Sequence, residues 1–135
     1  MSYLLDTNAC IAALNGRPAL VVERLAETRA HRKVISISTM VLTELWYGVS
    51  KSEHVERNTR LLEAFIQPFQ VLVFDSEDAR IAGDIRTRLE RLGTPVGPYD
   101  CLIAAQAVRH NLTVVTANTR EFERVKGLRL ENWAK

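Results

Sequence analysis

Asp6 is the first residue of the sequence whose position suggests chemistry. It directly follows a short apolar run and precedes Thr7 and Asn8, whose side chains also carry oxygen atoms. Ligands of parallel sheets bind beyond the carboxyl ends of the strands, so an acid at this place can belong to a site. Because Asp, Thr and Asn are all good helix N-caps, a purely structural role for Asp6 is an equal alternative.

Glu44 is the second candidate. It lies in a predicted helix over Thr39–Ser50, on the same face as Val41 and Gly48, because residues three or four positions apart are neighbours on a helix surface. The carboxylate therefore projects toward the packed side of the helix, where an unpaired charge is costly. Glu44 either forms a salt bridge with an arginine or takes part in a site.

Asp100 repeats this pattern in the first turn of a predicted helix over Pro98–His110. Its neighbours three, four and seven positions along are the apolar Ile103, Ala104 and Ala107. The helix dipole favours an acid in a first turn. The dipole does not explain why this acid lies along the apolar stripe, so Asp100 is a third candidate for a site.

Asp6, Glu44 and Asp100 would repel one another if they met at one edge of a sheet. At about 4 Å and an effective dielectric constant near 20, each close pair costs about 4 kcal/mol. A divalent cation relieves this repulsion, and ligands that are all oxygen suit Mg²⁺ or Mn²⁺. We expect Asp6 and Asp100 to hold the metal directly, and Glu44 to hold it directly or through water.

The elements that must position these acids follow from the order of apolar runs. Short β-branched or apolar runs predict strands at Tyr3–Leu5, Val34–Ser38, Val71–Phe74, Leu112–Val115 and around Leu128–Leu130. Helical spacing predicts helices near 8–14 and 18–30, at Thr39–Ser50 and His54–Phe65, from the Asp75 cap to about Leu92, at Pro98–His110, and briefly after Asn118. This alternation predicts an α/β fold with a mostly parallel sheet of about four to five strands and helices on both faces.

Asp75 also follows a predicted strand, but Ser76, Glu77 and Asp78 make a good helix start. We interpret Asp75 as an N-cap and leave it out of the site. An Asp at the end of a strand also occurs in receiver-type phosphoacceptor domains. Those domains need a Lys after a later strand, and no suitably placed Lys follows Leu112–Val115.

The composition is that of a soluble globular domain. The chain has 135 residues, of which 47% are hydrophobic and 25% charged, so we expect one domain over residues 1–135. No apolar run is long enough for a membrane span and no signal peptide precedes Asp6, so a cytoplasmic location is the default expectation. Cys10 and Cys101 fit no zinc pattern and are expected to be buried free thiols.

The net charge of +2 does not require a nucleic-acid partner. Of the 18 basic residues, 14 are Arg, a side chain that binds phosphate in two-point geometry. A solvated surface is the better explanation of this composition, so charge alone does not select a partner.

Four segments resemble the motifs of PIN domains, in order along the chain. They are Leu4–Asn8, Thr43–Gly48, Gly97–Ala105 and Thr116–Phe122. The likeness continues to Leu128–Trp133, and within PIN domains the pattern resembles the VapC toxins of bacterial type II toxin–antitoxin pairs. This resemblance implies a three-layer α/β/α PIN-like domain over residues 1–135. It further implies a Mg²⁺-dependent endoribonuclease, with Mn²⁺ as a substitute, that cleaves tRNA or rRNA. It also implies a homodimer that a VapB-like antitoxin neutralises.

The resemblance also suggests roles for single residues. Asp6, Glu44 and Asp100 occupy the acidic positions of the family, and Asn118 stands where many PIN domains have a fourth acid. Glu121 either supplies the missing charge or is a surface residue.

Thr7, Thr116 and Asn118 are candidates for orienting water or substrate. Because Asn118 leaves one charge fewer for a metal, a catalytically weakened PIN-like binding module is an alternative function.

The predicted helix Thr39–Ser50 is apolar on more than one face and carries Trp46 and Tyr47. Such a helix is either fully buried or shared with a partner, and interfaces favour these aromatic residues. We expect it to form, with the amphipathic helix His54–Phe65, a homodimer interface, an antitoxin groove or both. The alternative is that Trp46 packs on helices of its own chain.

Overall fold

The computed structural model describes residues Met1 to Lys135 and contains one five-stranded sheet. The strands are β1 (Tyr3–Leu5), β2 (Ile35–Ser38), β3 (Gln70–Leu72), β4 (Thr113–Val115) and β5 (Arg129–Glu131). Their order in the sheet is β3-β2-β1-β4-β5, and every neighbouring pair is parallel. The predicted α/β fold with a mostly parallel sheet is confirmed, and the sheet is parallel throughout.

Seven helices connect and follow the strands. They are α1 (Thr7–Asn15), α2 (Ala19–Ala30), α3 (Thr39–Ser50), α4 (Val55–Ile66), α5 (Ser76–Arg91), α6 (Pro98–His110) and α7 (Thr119–Phe122). Every residue of β2 and β4 is buried. Because successive side chains of a strand point to opposite faces, burial of all of them means that both faces of the sheet are covered. This is the three-layer α/β/α arrangement.

The observed element bounds agree with the predicted ones to within one residue, with one exception. The strand expected over Val71–Phe74 ends at Leu72. The backbone N–H of Phe74 donates to the hydroxyl of Thr39 at 3.1 Å, and so it does not extend the ladder. A side-chain acceptor from the start of α3 therefore ends β3 two residues early.

The carboxyl ends of three neighbouring strands are aligned, with β1 in the centre. Leu5 is aligned with Ile37 of β2 on one side and with Val115 of β4 on the other. These three residues are essentially inaccessible to solvent and belong to the main core. Because the carboxyl ends of β1, β2 and β4 lie level with one another, the residues that follow these strands meet at one edge of the sheet.

Two further predictions from the sequence are confirmed. Cys10 and Cys101 are buried free thiols. Asp75 caps α5 by accepting hydrogen bonds of 3.1 Å from the backbone N–H groups of Glu77 and Asp78. In return, the Asp78 carboxylate accepts from the Asp75 N–H at 2.9 Å, which completes a capping box.

The end of α6 is tied to this capped start of α5. Arg109 forms ion pairs with Asp75 and with the fully buried Asp78, the latter at 3.0 Å. Since an unpaired buried carboxylate is costly, this pairing fixes the carboxyl-terminal end of α6.

No helix of the fold has the length and apolar character needed to span a membrane.

Candidate active site

Asp6 lies where β1 ends and α1 begins. Its Oδ1 accepts a 2.8 Å hydrogen bond from the Ala9 backbone N–H, so it is the N-cap of α1. The side chain is also buried, with only 4% of the residue exposed. Burial raises the pKa of Asp6, and the charge of Glu44 raises it further, while the Thr116 hydroxyl and the Ala9 N–H oppose the shift. The capping alternative is therefore correct, and the capping carboxylate still faces a second acid.

Glu44 lies in the middle of α3 and is partly buried. Its Oε1 accepts a 2.7 Å hydrogen bond from the hydroxyl of Thr7, in the first turn of α1. No Lys or Arg lies within ion-pairing distance of the carboxylate, so the predicted alternative of a salt bridge with arginine is wrong. The structure brings Glu44 and Thr7 together, at the edge of the sheet where Asp6 lies.

Asp100 lies in the first turn of α6, as predicted. Burial raises its pKa to about 6, and the negative charges of Glu121, Asp6 and Glu44 add to this shift. The amide of Asn118 opposes it by donating to Oδ2 at 3.4 Å. Four acids from four separate segments of the chain therefore act on one another at this edge.

Glu121 belongs to this cluster and is not an isolated surface residue. Its Oε2 accepts a 2.7 Å hydrogen bond from the Asn118 side-chain amide, and its Oε1 accepts one from the Gly97 backbone N–H. These two donors lower the pKa of Glu121, the Gly97 N–H most of all. The Asn118 backbone N–H in turn donates to the Thr116 hydroxyl at 2.9 Å. The structure thus brings Asn118, Glu121 and Thr116 together.

Sequence reasoning missed the part that Gly97 plays in the site. Gly97 is the N-cap of α6 and lies 24 positions from Glu121, so no spacing rule connects them. The only signal in the sequence is a Gly directly before Pro98, which is typical of a helix start. The contact itself depends on where the tertiary fold places α7 relative to the start of α6.

The donor chemistry of the cluster suits a hard divalent cation. Carboxylate oxygens are the ligands that Mg²⁺ and Mn²⁺ prefer, and none of the four acids is paired with a Lys, Arg or His. The residues therefore fit such an ion by charge and atom type. Their side chains are not already arranged around one point, since no three His, Cys, Asp or Glu side chains form a metal-binding group.

An apolar groove of about 350 Å³ adjoins the acid cluster. It lies between α1, α3 and α4, and Glu44 forms part of its wall. The lining residues are Ile11, Leu14, Asn15, Glu44, Leu45, Gly48, Val49, Asn58, Leu61 and Leu62. The predicted groove between the helices α3 and α4 is therefore present. Trp46 and Tyr47 do not line it, and 36% and 64% of these residues are exposed on other faces of α3.

Comparison with known proteins places this site in a family. The PIN-domain family matches residues 3–128. The tRNA(fMet)-specific endonuclease VapC of Shigella flexneri is 44% identical over 134 residues, which cover 99% of each chain. The four motif segments lie within these matched ranges.

Two solved structures are similar over almost the whole chain. VapBC2 of Rickettsia felis, bound to a DNA fragment of its promoter, has a TM-score of 0.90 and 41% identity, covering 98% of this chain and 99% of that one. DNA-bound VapBC of Salmonella typhimurium has a TM-score of 0.89 and 44% identity, covering 98% of each chain. The chain therefore belongs to the PIN-domain family and, within it, to the VapC ribonucleases.

Proposed function

We propose that this VapC-family chain is a Mg²⁺-dependent endoribonuclease that acts as the toxin of a type II toxin–antitoxin pair. One observation carries the proposal more than any other. The pKa of Asp100 is raised to about 6 by burial and by Glu121, Asp6 and Glu44 together, and no basic side chain is paired with these acids. Acids that act on one another and form no ion pair with a basic side chain are suited to a divalent cation and a phosphodiester.

Asp6, Glu44 and Asp100 would hold Mg²⁺, with Mn²⁺ as a substitute. A bound metal supplies a water of lowered pKa and neutralises charge that develops on the phosphate. Other residues of the chain orient the three acids. Thr7 holds the Glu44 carboxylate through its 2.7 Å hydrogen bond.

Two further residues hold the opposite side of the cluster. The Thr116 hydroxyl accepts from the Asn118 backbone N–H at 2.9 Å and opposes the raised pKa of Asp6. The Asn118 side-chain amide donates to Asp100 and Glu121. We assign to Thr116 and Asn118 the orientation of these acids and of the attacking water.

We propose tRNA as the substrate class, with initiator tRNA as the first candidate. The relative from Shigella flexneri is named for cleavage of tRNA(fMet) and is 44% identical over 99% of this chain. Ribosomal RNA is the second class to be tested. The phosphodiester chemistry proposed for Asp6, Glu44 and Asp100 is the same for both.

A cleavage assay tests this function. Purified protein is incubated with initiator tRNA, an elongator tRNA or ribosomal RNA, each with Mg²⁺, with Mn²⁺ or with EDTA. We expect cleavage with either metal and none with EDTA, and no cleavage by folded Asp6→Asn or Asp100→Asn protein. Full activity in either variant, or activity in EDTA, contradicts the proposed site. Failure to cleave any RNA in the presence of metal favours the weakened binding module.

We propose that a VapB-like antitoxin occupies the groove between α1, α3 and α4. Six of the ten lining residues are hydrophobic, which suits the apolar face of an amphipathic helix. Because Glu44 is part of the wall, an occupant of the groove also covers the acid cluster. The structural relatives from Rickettsia felis and Salmonella typhimurium are VapBC complexes, which supports an antitoxin as the partner.

We further propose a homodimer that uses a different face of α3. Trp46 and Tyr47 are exposed and lie outside the groove, so an antitoxin in the groove would leave them uncovered. A second copy of the chain that covers these aromatic residues would bury apolar surface.

We place the toxin in the cytoplasm, where RNA and antitoxin would both reach it.

A further inference from the structure

The carboxylate of Glu121 connects the start of α6 with the turn before α7. Its Oε1 accepts from the backbone N–H of Gly97, and its Oε2 accepts from the side-chain amide of Asn118 at 2.7 Å. We propose that Glu121 is a positioning residue that fixes Asp100 relative to Asn118 and does not itself bind metal. This inference rests on the proposed ribonuclease function, because the position of Asp100 matters for cleavage.

The contact with Gly97 acts directly on the helix that presents Asp100. Gly97 is the N-cap of α6 and has no side chain to cap that helix, so the N-cap is held from outside by Glu121. Asp100 lies three residues further on, in the first turn. Because a helical turn is rigid, holding the Gly97 backbone also sets the position of Asp100.

A second tie supports the same junction. The guanidinium of Arg124 donates to the Pro95 carbonyl at 2.6 Å, so the segment before α6 is held at two points two residues apart. The contact at Gly97 leaves little space, since a Cβ atom built there would lie 3.2 Å from Glu121 Oε1. A larger residue at position 97 would therefore displace the Glu121 carboxylate by a few tenths of an ångström.

The backbone that carries Glu121 is anchored in the core by its neighbours. Phe122, the next residue of α7, is fully buried, and 5% of Val125 is exposed. Both side chains belong to the main core. Glu121 is thus attached to a part of the fold that cannot move without exposing apolar surface, which is what a positioning residue requires.

Each carboxylate oxygen of Glu121 accepts a hydrogen bond. The two hydrogens of the Asn118 amide have two acceptors, Glu121 at 2.7 Å and Asp100 at 3.4 Å. Each oxygen keeps a second lone pair, but a shift of the carboxylate away from these donors to reach a metal would free the amide from its orientation toward Asp100. The hydrogen-bond pattern favours a residue that orients the site over one that binds metal.

Two variants separate reach from charge at position 121. Glu121→Asp keeps the negative charge but is one methylene too short to reach Gly97. Glu121→Gln keeps the reach but presents an amide N–H₂ to the N–H₂ of Asn118, so two donors face each other. Glu123→Gln is the matched control, because Glu123 is exposed, makes no side-chain hydrogen bond and removes the same charge two residues away.

Three measurements on the full chain test the inference. Amide hydrogen exchange at Gly97 is measured without metal, Mn²⁺ affinity is measured without RNA, and kcat and KM are measured with initiator tRNA. For Glu121→Asp we expect exchange at Gly97 to be about tenfold faster. We expect kcat to fall about tenfold to a hundredfold with KM almost unchanged, since small displacements of a reacting group carry costs of this size. Glu121→Gln should lose kcat similarly, and Glu123→Gln should match the wild type.

Three results would overturn the inference. Wild-type kcat in Glu121→Asp means that only the charge matters. Unchanged exchange at Gly97 in that variant means that the backbone is held by other contacts. A loss of Mn²⁺ affinity as large as that of Asp100→Asn means that Glu121 is a metal ligand. If the wild type cleaves no RNA, the ribonuclease proposal fails, while exchange at Gly97 and Mn²⁺ affinity still decide what Glu121 does.

Discussion

The hydroxyl of Thr7 donates a 2.7 Å hydrogen bond to the carboxylate of Glu44, although the two residues are 37 positions apart. The bond joins the first turn of α1 to the middle of α3. It also satisfies one oxygen of a partly buried acid that no basic residue pairs with. Glu44 is therefore held in place by a neutral donor and not by an ion pair.

Replacing Thr7 tests the value of that bond. Thr7→Val has nearly the same shape but no donor, so Glu44 should lose its fixed orientation. A hydrogen bond to a charged group contributes about 1.5 kcal/mol, and we expect kcat to fall about tenfold, which is the corresponding factor in rate. Thr7→Ser keeps the hydroxyl and should retain most of the activity. Equal activity in the Val and Ser variants would show that the bond does not matter for cleavage.

The raised pKa of Asp100 predicts how stability depends on pH without metal. Its pKa is about 6 in the fold, compared with 3.8 for an ordinary Asp side chain, so the folded state holds the proton more tightly than the unfolded chain. The stability due to this group is fully present below the unfolded pKa and is lost as pH rises through about 6. In EDTA, the free energy of unfolding of the wild type relative to Asp100→Asn should therefore decrease from pH 4 to pH 7. A difference that stays constant, measured by urea unfolding, would contradict the shift.

Asp6 has two roles that substitutions can separate. Asparagine caps a helix as well as aspartate does, so Asp6→Asn should keep the bond to the Ala9 N–H and also relieve the burial of a charge. We expect a neutral or higher melting temperature without metal, together with loss of cleavage. Asp6→Ala also removes the cap and should cost about 1 kcal/mol. If Asp6→Asn lowers the melting temperature by several degrees, the negative charge itself stabilises the fold.

The position of the groove predicts which exposed leucine, when replaced by glutamate, weakens antitoxin binding. Leu61 lines the groove and is 53% exposed, whereas Leu92 is 69% exposed and lies outside it. Leu61→Glu should weaken antitoxin binding about a hundredfold, because a charge would be buried at the centre of an apolar contact. Leu92→Glu adds the same charge elsewhere and should bind normally. Both variants should cleave RNA like the wild type, and equal antitoxin affinity in the two would place the antitoxin elsewhere.

Trp46 predicts the behaviour of the proposed dimer. Because Trp46 is partly exposed and does not line the groove, Trp46→Ala should shift the protein toward the monomer while antitoxin affinity stays near the wild-type value. Light scattering measures the first effect and titration with antitoxin the second. A variant with both the wild-type mass and the wild-type affinity would show that this surface is not an interface.

The sequence predicted most of the fold because its signals are local. Apolar runs and helical spacing are local, and so are the capping residues Asp75 and Asp78. The exception is the end of β3, where the acceptor for the Phe74 N–H is the Thr39 hydroxyl. That partner comes from a different element, 35 positions away, and no local pattern encodes it.

The candidate site was predictable for a related reason, and only in part. Asp6 follows β1, Asp100 lies in the first turn of α6, and Glu44 lies on the packed face of α3, which follows β2. The topology of a parallel sheet therefore brings these acids to one edge. The role of Glu121 was left open, because its partner Gly97 lies on a separate segment and is bound through its backbone. Every residue except proline has a backbone N–H, so the residue type does not indicate which N–H donates to a distant side chain. Such a partner is known only once the tertiary packing is known.

The order of the site residues along the chain determines when the acid cluster can form during translation. The acids come from the end of β1, the middle of α3, the first turn of α6 and α7. A chain still being translated therefore carries Asp6 and Glu44 before Asp100, Asn118 and Glu121 are made. We expect a chain that stops before α6 to lack a complete acid cluster, so a product of interrupted translation should be inert toward RNA and not merely a weaker nuclease.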